Sequence, residues 1–146
     1  MLRGSYTATI DSKGRLKIPA AFKSALEESY SVEFYVTSLN GDFVRIYPFP
    51  VWREIEDKLA GLPSFDKTKK KFLNRTNYFG QIVRMDGQGR ILIPVLLRQT
   101  AQMRGEITIL GGLTYLDAWS RERFRDEIDK NPMTPEDEET LSNLGI

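Results

Sequence analysis

The chain has 146 residues, of which 40% are hydrophobic and 28% charged, a composition typical of one compact soluble domain or of two small halves. It has no cysteine and no histidine, which excludes disulfide frameworks, thiol nucleophiles, Ser-His triads, zinc fingers and most transition-metal sites. The formal net charge is +1, but residues 126–146 hold seven of the 20 acidic residues and one of the 21 Lys and Arg, so a basic body precedes an acidic tail.

The first predicted unit is a strand, a turn and a returning strand. Alternating apolar residues predict strands at 6–10 and 15–18, and Asp11 and Gly14 bound the tight turn between them. Pro19 suits the first turn of a helix that runs to about residue 30, because the fixed φ of proline is already helical. The beginning of the chain therefore predicts two short paired strands followed by a helix.

A hairpin and two helices are predicted next. Strands at 32–39 and 42–47 flank Asn40-Gly41, a dipeptide that favours tight hairpin turns, and a helix begins at Pro50. Residues 64–78 predict a basic amphipathic connector helix with Phe72 and Leu73 facing inward. Its cations are Lys67, Lys69, Lys70, Lys71 and Arg75. Such a run is typically the solvated face of a helix, and its alternative is a set of secondary contacts to a nucleic-acid backbone.

The same order of elements is then predicted a second time. Its members are strands near 80–85 and 90–93, a helix from Pro94, a hairpin across Gly111-Gly112, and a helix from Ser120 that buries Phe124 and Ile128. Ser120 is expected to cap the last of these helices through its side chain. The acidic residues that follow Pro135 predict a solvated tail, a short helix or an internal competitor for a basic surface.

One nine-residue pattern accounts for this repetition. Asp11-Ser12-Lys13-Gly14-Arg15-Leu16-Lys17-Ile18-Pro19 recurs as Asp86-Gly87-Gln88-Gly89-Arg90-Ile91-Leu92-Ile93-Pro94, at an offset of 75. Further along, Trp52 matches Phe124, so the offset falls to 72. We expect the three lost residues at the hairpin tip, where loops tolerate length changes. Two copies of one unit in a single chain predict packing about a local two-fold axis.

The residue types of the motif have both a structural and a functional interpretation. The Asp side chain can accept hydrogen bonds from backbone donors further along the turn, while Gly supplies a positive φ. Arg15 and Arg90 can each pair with the preceding Asp, or project a guanidinium towards phosphate oxygens or the edge of guanine. Composition and spacing leave both roles open.

The doubled motif, preceded by Leu2-Arg3-Gly4, resembles the MraZ family of bacterial transcription regulators, which are built from two AbrB-type (SpoVT-AbrB) modules. That resemblance implies an α+β fold: a tandem AbrB-like swapped-hairpin β-barrel formed by the two repeats, with flanking helices. It also implies sequence-specific binding to short DNA repeats upstream of a division and cell-wall gene cluster, nucleoid association and ring-shaped homo-oligomers. The absence of cysteine independently favours a cytoplasmic protein.

The resemblance, for the two arginines of the motif, and the local charge, for the other cations, suggest where double-stranded DNA binds. The expected DNA-binding residues are Arg3, Lys13, Arg15, Lys17 and Arg90. Arg3, Lys13 and Lys17 are expected near one end of the first repeat, where they would form a basic surface. The expected structural residues of the motif are Asp11, Gly14, Asp86 and Gly89. We expect no catalytic residue, metal, cofactor, small-molecule substrate or membrane partner.

The expected organisation is a first SpoVT-AbrB-like repeat at 1–62, a basic connector helix at 63–78, a second repeat at 79–131 and an acidic tail at 132–146. The principal alternative function is an oligomeric scaffold or an antitoxin-like module that binds protein without reading DNA. An enzyme is disfavoured, because the residues after the two aspartates lack the Asp-Thr/Ser-Gly turn of aspartic proteases. RNA binding is disfavoured by the lack of an exposed aromatic platform.

Overall fold

A computed structural model describes all 146 residues as eight strands and six helices in an α+β arrangement. The elements are β1 (Ser5–Thr9), β2 (Arg15–Lys17), α1 (Ala20–Ser29), β3 (Glu33–Thr37), β4 (Val44–Pro48), α2 (Phe49–Ala60), α3 (Lys67–Tyr78), β5 (Gln81–Arg84), β6 (Arg90–Leu92), α4 (Val95–Thr100), β7 (Glu106–Gly111), β8 (Leu116–Ser120), α5 (Arg121–Lys130) and α6 (Pro135–Asn143). None of these helices has the length and apolar character needed to cross a membrane.

Strands of the two repeats pair with each other. Six strands form one sheet in the order β1-β7-β8-β4-β3-β5, and β2 and β6 form a separate two-stranded ribbon. All pairs are antiparallel, and β1 with β7, β5 with β3, β4 with β8 and β2 with β6 each join one repeat to the other. Each repeat therefore contributes strands that complete the other, which suits halves of about 70 residues that are too small for an ample core of their own.

The main core lies between the large sheet and a layer made of the ribbon, α1 and α4. Leu16 and Ile91 enter it from the ribbon, and Val36, Ile46 and Ile109 enter it from the sheet. These side chains alternate along their strands with residues on the opposite face, as a half-buried strand requires. Burying this apolar surface is what holds the ribbon against the sheet.

The opposite face of the sheet is covered by α2 and α3. The Trp52 ring of α2 stacks on Tyr35 with a centroid distance of 4.4 Å, and Phe72 of α3 packs beside it at 6.2 Å. The Tyr35 hydroxyl donates to the backbone oxygen of Thr76 at 3.0 Å. Phe72 and Leu73 are both half-buried, which confirms the inward face predicted for the connector helix.

The three residues missing from the second repeat are not all lost at the hairpin tip. Phe34 pairs with Val83, and Ile107 pairs with Ala8. Because Ala8 and Val83 are equivalent at the offset of 75, Phe34 and Ile107 are equivalent too, and their offset is already 73. Two residues are thus lost before the hairpin, where α1 has 10 residues and α4 has 6. A helix end on the surface accommodates this deletion as readily as a loop.

The second hairpin also turns differently from the prediction. Gly41 has a φ of 80°, but neither Gly111 nor Gly112 has a positive φ, and Leu113 takes that conformation with a φ of 72°. A Cβ on Gly111 would lie 2.4 Å from the backbone nitrogen of Arg3. This glycine is therefore needed for the close approach of the N-terminal segment rather than for a left-handed turn.

Two expectations for α5 are wrong. Ser120 precedes the helix, but its side chain makes no capping hydrogen bond. Ile128 is exposed, while Phe124 is half-buried against Trp119 at a centroid distance of 5.6 Å. The helix packs through its first turns only, so the apolar periodicity predicted for it extends further than its contact with the sheet.

Candidate nucleic-acid interface

Both motif turns are closed by their aspartate. In the first turn, Asp11 Oδ1 accepts the backbone N–H groups of Lys13 and Arg15 at 2.9 Å each, and Asp11 Oδ2 accepts from Arg15 Nε at 2.8 Å. Asp86 repeats this arrangement with the N–H groups of Gln88 and Arg90 and with Arg90 Nε, at 2.9, 2.9 and 2.8 Å. Both repeats therefore contain the turn hydrogen bonds and the Asp–Arg pair that the structural interpretation describes.

These hydrogen bonds keep both aspartates ionised. The backbone N–H of Arg15 has the largest effect on the pKa of Asp11 and lowers it; desolvation opposes this effect, and the Arg15 side chain and the N–H of Lys13 lower the pKa further. The backbone N–H of Arg90 does the same to the pKa of Asp86, with help from the Arg90 side chain and the N–H of Gln88. Each turn thus holds a charged pair at neutral pH.

The same bonds orient the arginines. Only Nε of each guanidinium is used within the chain, so the Nη atoms of Arg15 and Arg90 have no intramolecular hydrogen bond. The side chains are 33% and 26% exposed. A guanidinium whose Nε is tied back to a carboxylate presents its two outer nitrogens as a fixed fork, the geometry that recognises phosphate or the O6 and N7 atoms of guanine.

Each turn is supported by a helix of the other repeat. Gly14 and Gly89 have φ values of 84° and 76°. A Cβ on Gly14 would lie 2.3 Å from Cζ of Arg98 in α4, and one on Gly89 would lie 3.0 Å from Cδ of Lys23 in α1. The positive φ thus favours glycine at both positions, and the side chains of Arg98 and Lys23 pack directly over the turns. The buried Nε of Arg98 has no hydrogen-bond partner in the chain. The supporting role of Arg98 is not predicted by the motif, although Arg98 aligns with Lys23 at the offset of 75.

The ribbon brings the two arginines to one surface. Arg15 faces Leu92 and Lys17 faces Arg90 across the strand pair, with Leu16 opposite Ile91 between them. Leu16 and Ile91 are buried, so the alternating neighbours all point away from the core. Diagonal neighbours in such a ribbon are about 7–8 Å apart, which sets the spacing of Arg15 and Arg90. We call the side chains of Arg15, Lys17, Arg90 and Leu92 the ribbon face.

The two ends of the ribbon carry equal charge through different residues. The first turn has Lys13 where the second has Gln88, which on sequence alone leaves the second turn poorer in charge. Antiparallel pairing corrects this deficit, because it places Lys17 beside the second turn, where its Nζ donates to the backbone oxygen of Gln88. Each end of the ribbon therefore has one lysine and one arginine.

Arg3 is not part of this surface. Its neighbour Leu2 forms a bridge with Leu113, at the end of β1 that lies away from Asp11. Extended chain rises about 3.3 Å per residue, so Arg3 lies roughly 20 Å or more from the first turn. The expectation that Arg3 joins Lys13 and Lys17 is wrong, since it treats closeness to the motif in sequence as closeness in space.

The flanking helices carry further charge of both signs. Lys67, Lys70, Lys71 and Arg75 are exposed on α3, whereas Lys69 Nζ donates to the backbone oxygen of Leu62 at 3.0 Å. The acidic tail forms the short helix α6, closed by a capping box between Thr134 and Asp137. None of its acidic side chains forms an ion pair, and they lie exposed to solvent. No group of three or more acidic side chains is placed to hold a metal ion.

Comparison with known proteins adds to this geometry. A family model described as "MraZ protein, putative antitoxin-like" matches residues 1–75 and 81–144, which include both motif turns. The chain is also similar to proteins named Transcriptional regulator MraZ. The Koribacter versatilis protein is 50% identical over 147 residues, the Acidobacterium capsulatum protein 44% over 146 residues and the Clostridium tetani protein 34% over 146 residues. Each of these alignments covers 100% of both chains.

Proposed function

The chain belongs to the MraZ family, and we propose that it is a DNA-binding transcription regulator whose ribbon face reads bases in the major groove. The supporting observation is the position of Arg15 and Arg90 on one exposed side of a two-stranded ribbon. The major groove of B-form DNA accommodates such a ribbon, and an arginine fork bonded to O6 and N7 of guanine is the commonest specific contact there. A regulator of this kind is not an enzyme.

The lysines have a different role in this proposal. Lys13 and Lys17 lie at opposite ends of the ribbon, within reach of the phosphates that border the groove. Lysine binds phosphate as a point charge and carries little sequence information, so these contacts position the protein and make its affinity depend on salt. The exposed cations of α3 are candidates for additional backbone contacts. Arg3 receives no base contact in this proposal.

The exchange of strands between repeats supports a finer description of the fold. We infer that residues 1–62 and 79–131 are two SpoVT-AbrB-like modules that together form a swapped-hairpin barrel, joined by a basic connector at 63–78 and followed by an acidic tail at 132–146. The proposed setting is the cytoplasm and, carried over from the family resemblance, the nucleoid. The proposed target is a set of short repeats upstream of a division and cell-wall gene cluster.

Assembly of several chains would strengthen binding to such a target. One ribbon offers two arginine forks and two lysines, which is a small contact surface for a specific DNA complex. A ring-shaped homo-oligomer that engages several repeats at once would gain affinity through effective concentration, without better individual contacts. We therefore propose that the functional form is a ring of identical chains.

A binding selection tests the proposal. The full-length protein is incubated with random genomic fragments at several salt concentrations, and the bound DNA is sequenced. We expect a common sequence with guanines in a fixed register. Arg15→Ala should lower affinity for that sequence about tenfold or more, while the oligomer seen by light scattering stays intact. Arg53→Ala, which removes an exposed arginine of α2, is the matched control and should bind normally.

The opposite results would favour the alternative function. Failure to enrich any common sequence, or equal binding by Arg15→Ala, would contradict base reading by the ribbon. A protein that still assembles but reads no sequence would then be an oligomeric scaffold or an antitoxin-like partner of another protein. Loss of assembly in Arg15→Ala would assign the arginine to an interface between chains.

A further inference from the structure

Leu92 is the one apolar side chain on the ribbon face. It is 45% exposed, although the neighbouring positions Leu16 and Ile91 already fill the core beneath the ribbon. Its equivalent in the first repeat is Lys17, a residue better suited to an exposed strand in water. Packing within the chain therefore does not account for a leucine at this position.

The register places Leu92 directly opposite Arg15. Facing residues of an antiparallel pair have Cβ atoms about 4.5–5.5 Å apart, and successive base pairs are separated by about 3.4 Å. When the Arg15 fork contacts a guanine, the Leu92 side chain thus reaches the edge of a base pair within about two steps of it.

The major groove offers one prominent apolar group, the C5 methyl group of thymine. We propose that Leu92 packs on the methyl group of a thymine that lies within about two base pairs of the guanine contacted by Arg15. This inference rests on the proposed function, because it requires the ribbon face to lie in the groove. It adds a specificity-determining residue that forms no hydrogen bond to the base.

The other end of the ribbon has no such contact. Beside Arg90 stands Lys17, whose ammonium group donates to the backbone oxygen of Gln88. A charged group in this position gains nothing from a methyl group. The chain therefore reads the two sides of its site differently, with a methyl contact only on the side of Arg15.

Replacement of thymidine by deoxyuridine tests the methyl contact, since the bases thymine and uracil differ only in that group. The duplex carries the sequence enriched by the selection, and one thymine position is changed at a time in every repeat. We expect about fourfold weaker binding at one position near a guanine, the equivalent of about 0.8 kcal/mol for one buried methyl group. At the other thymine positions the change should be less than about 1.5-fold.

Variants of the protein identify the residue responsible. In Leu92→Ala and in Leu92→Lys, which installs the residue of the first repeat, the deoxyuridine penalty should disappear because the contact is already absent. Leu39→Ala is the matched control, since Leu39 is similarly exposed, at 47%, but lies outside the ribbon. It should retain the full penalty.

The outcomes separate this inference from the proposed function. If a common sequence is enriched but no thymine is sensitive, or if Leu92→Ala keeps the penalty, the methyl contact is wrong and the proposed function stands. A penalty of the same size on the side of Arg90 would overturn the asymmetry. If no common sequence is enriched, both the proposed function and the methyl contact fail together.

Discussion

The two repeats are alike where they meet in the buried core and different where they meet at a half-buried position. Leu16 and Ile91 meet at the centre of the ribbon, and both are apolar. In the sheet, Arg45 faces Asp117, the equivalent position of the second repeat at the offset of 72. The two side chains form a bidentate ion pair at 2.8 and 3.1 Å.

The local two-fold axis explains this difference. A residue on the axis faces its own counterpart from the other repeat. Two apolar side chains can pack together there, whereas two identical charges would repel across the strand pair. On the axis, the buried pair Leu16 and Ile91 is alike, whereas the half-buried pair Arg45 and Asp117 has opposite charges. Because the repeats differ at this pair, a first repeat pairs more favourably with a second repeat than with another copy of itself.

The largest change in stability is expected at the buried apolar pair on the axis. Leu16→Ala and Ile91→Ala each remove a fully buried side chain and should lower the free energy of unfolding by about 2–5 kcal/mol, measured by urea denaturation. Because the two residues face each other, the double variant should depart from the sum of the single ones by about 0.5 kcal/mol or more. Strictly additive costs would contradict a shared contact at the axis.

Charge reversal tests the ion pair of Arg45 and Asp117 and should have the next largest effect on stability. Asp117→Arg places two arginines on the axis, and we expect it to lower the free energy of unfolding by about 1–3 kcal/mol. The exchange Arg45→Asp with Asp117→Arg restores an ion pair and should recover stability to within about 1 kcal/mol. A double variant as unstable as Asp117→Arg alone would show that the cost has another source.

The two ends of the ribbon can be compared through their salt dependence. Lys13→Gln gives the first turn the residue of the second, and Gln88→Lys does the reverse. If each lysine contacts one phosphate, the slope of log affinity against log salt should fall by about 1 in the first variant and rise by about 1 in the second. Equal slopes in all three proteins would remove these positions from the DNA surface.

Much of this arrangement follows from the pattern of the sequence. The repeated Asp and Gly predict the turns, and alternation along residues 15–18 and 90–93 predicts short strands with arginines outward. The two copies also predict a local two-fold axis, but the register of the strands across it could not be predicted, because it depends on pairing of strands 75 residues apart. That pairing places Lys17 beside Gln88 and Leu92 beside Arg15. Pairing of β1 with β7, continued by the Leu2–Leu113 bridge, separates Arg3 from the ribbon.

The smallest expected effect is that of pH, and it should be equal in the two repeats. Hydrogen bonds from the backbone N–H groups of Arg15 and Arg90 lower the pKa values of Asp11 and Asp86. Their stabilisation is complete above the unfolded value of about 3.9 and is lost as the pH falls through the lower folded value. Since the chain has no histidine, urea midpoints should stay constant between about pH 5 and 8.

Paired asparagine variants provide the control for this pH dependence. In Asp11→Asn with Asp86→Asn, the side-chain oxygen can still accept the backbone hydrogen bonds, but the titrating group is gone. The decline in urea midpoint below about pH 4 should therefore be shallower than in the unmodified chain. An identical decline would assign acid sensitivity to other carboxylates.

In the proposed complex, Arg15 and Arg90 contact guanine from one side of the ribbon. Replacement of single guanines by 7-deazaguanine, which lacks the N7 acceptor, tests this contact most directly in the enriched DNA sequence. We expect about tenfold weaker binding at two guanine positions, one of which becomes insensitive in Arg15→Ala and the other in Arg90→Ala. Full binding by the unmodified protein to every substituted duplex would show that neither arginine contacts N7 of a guanine.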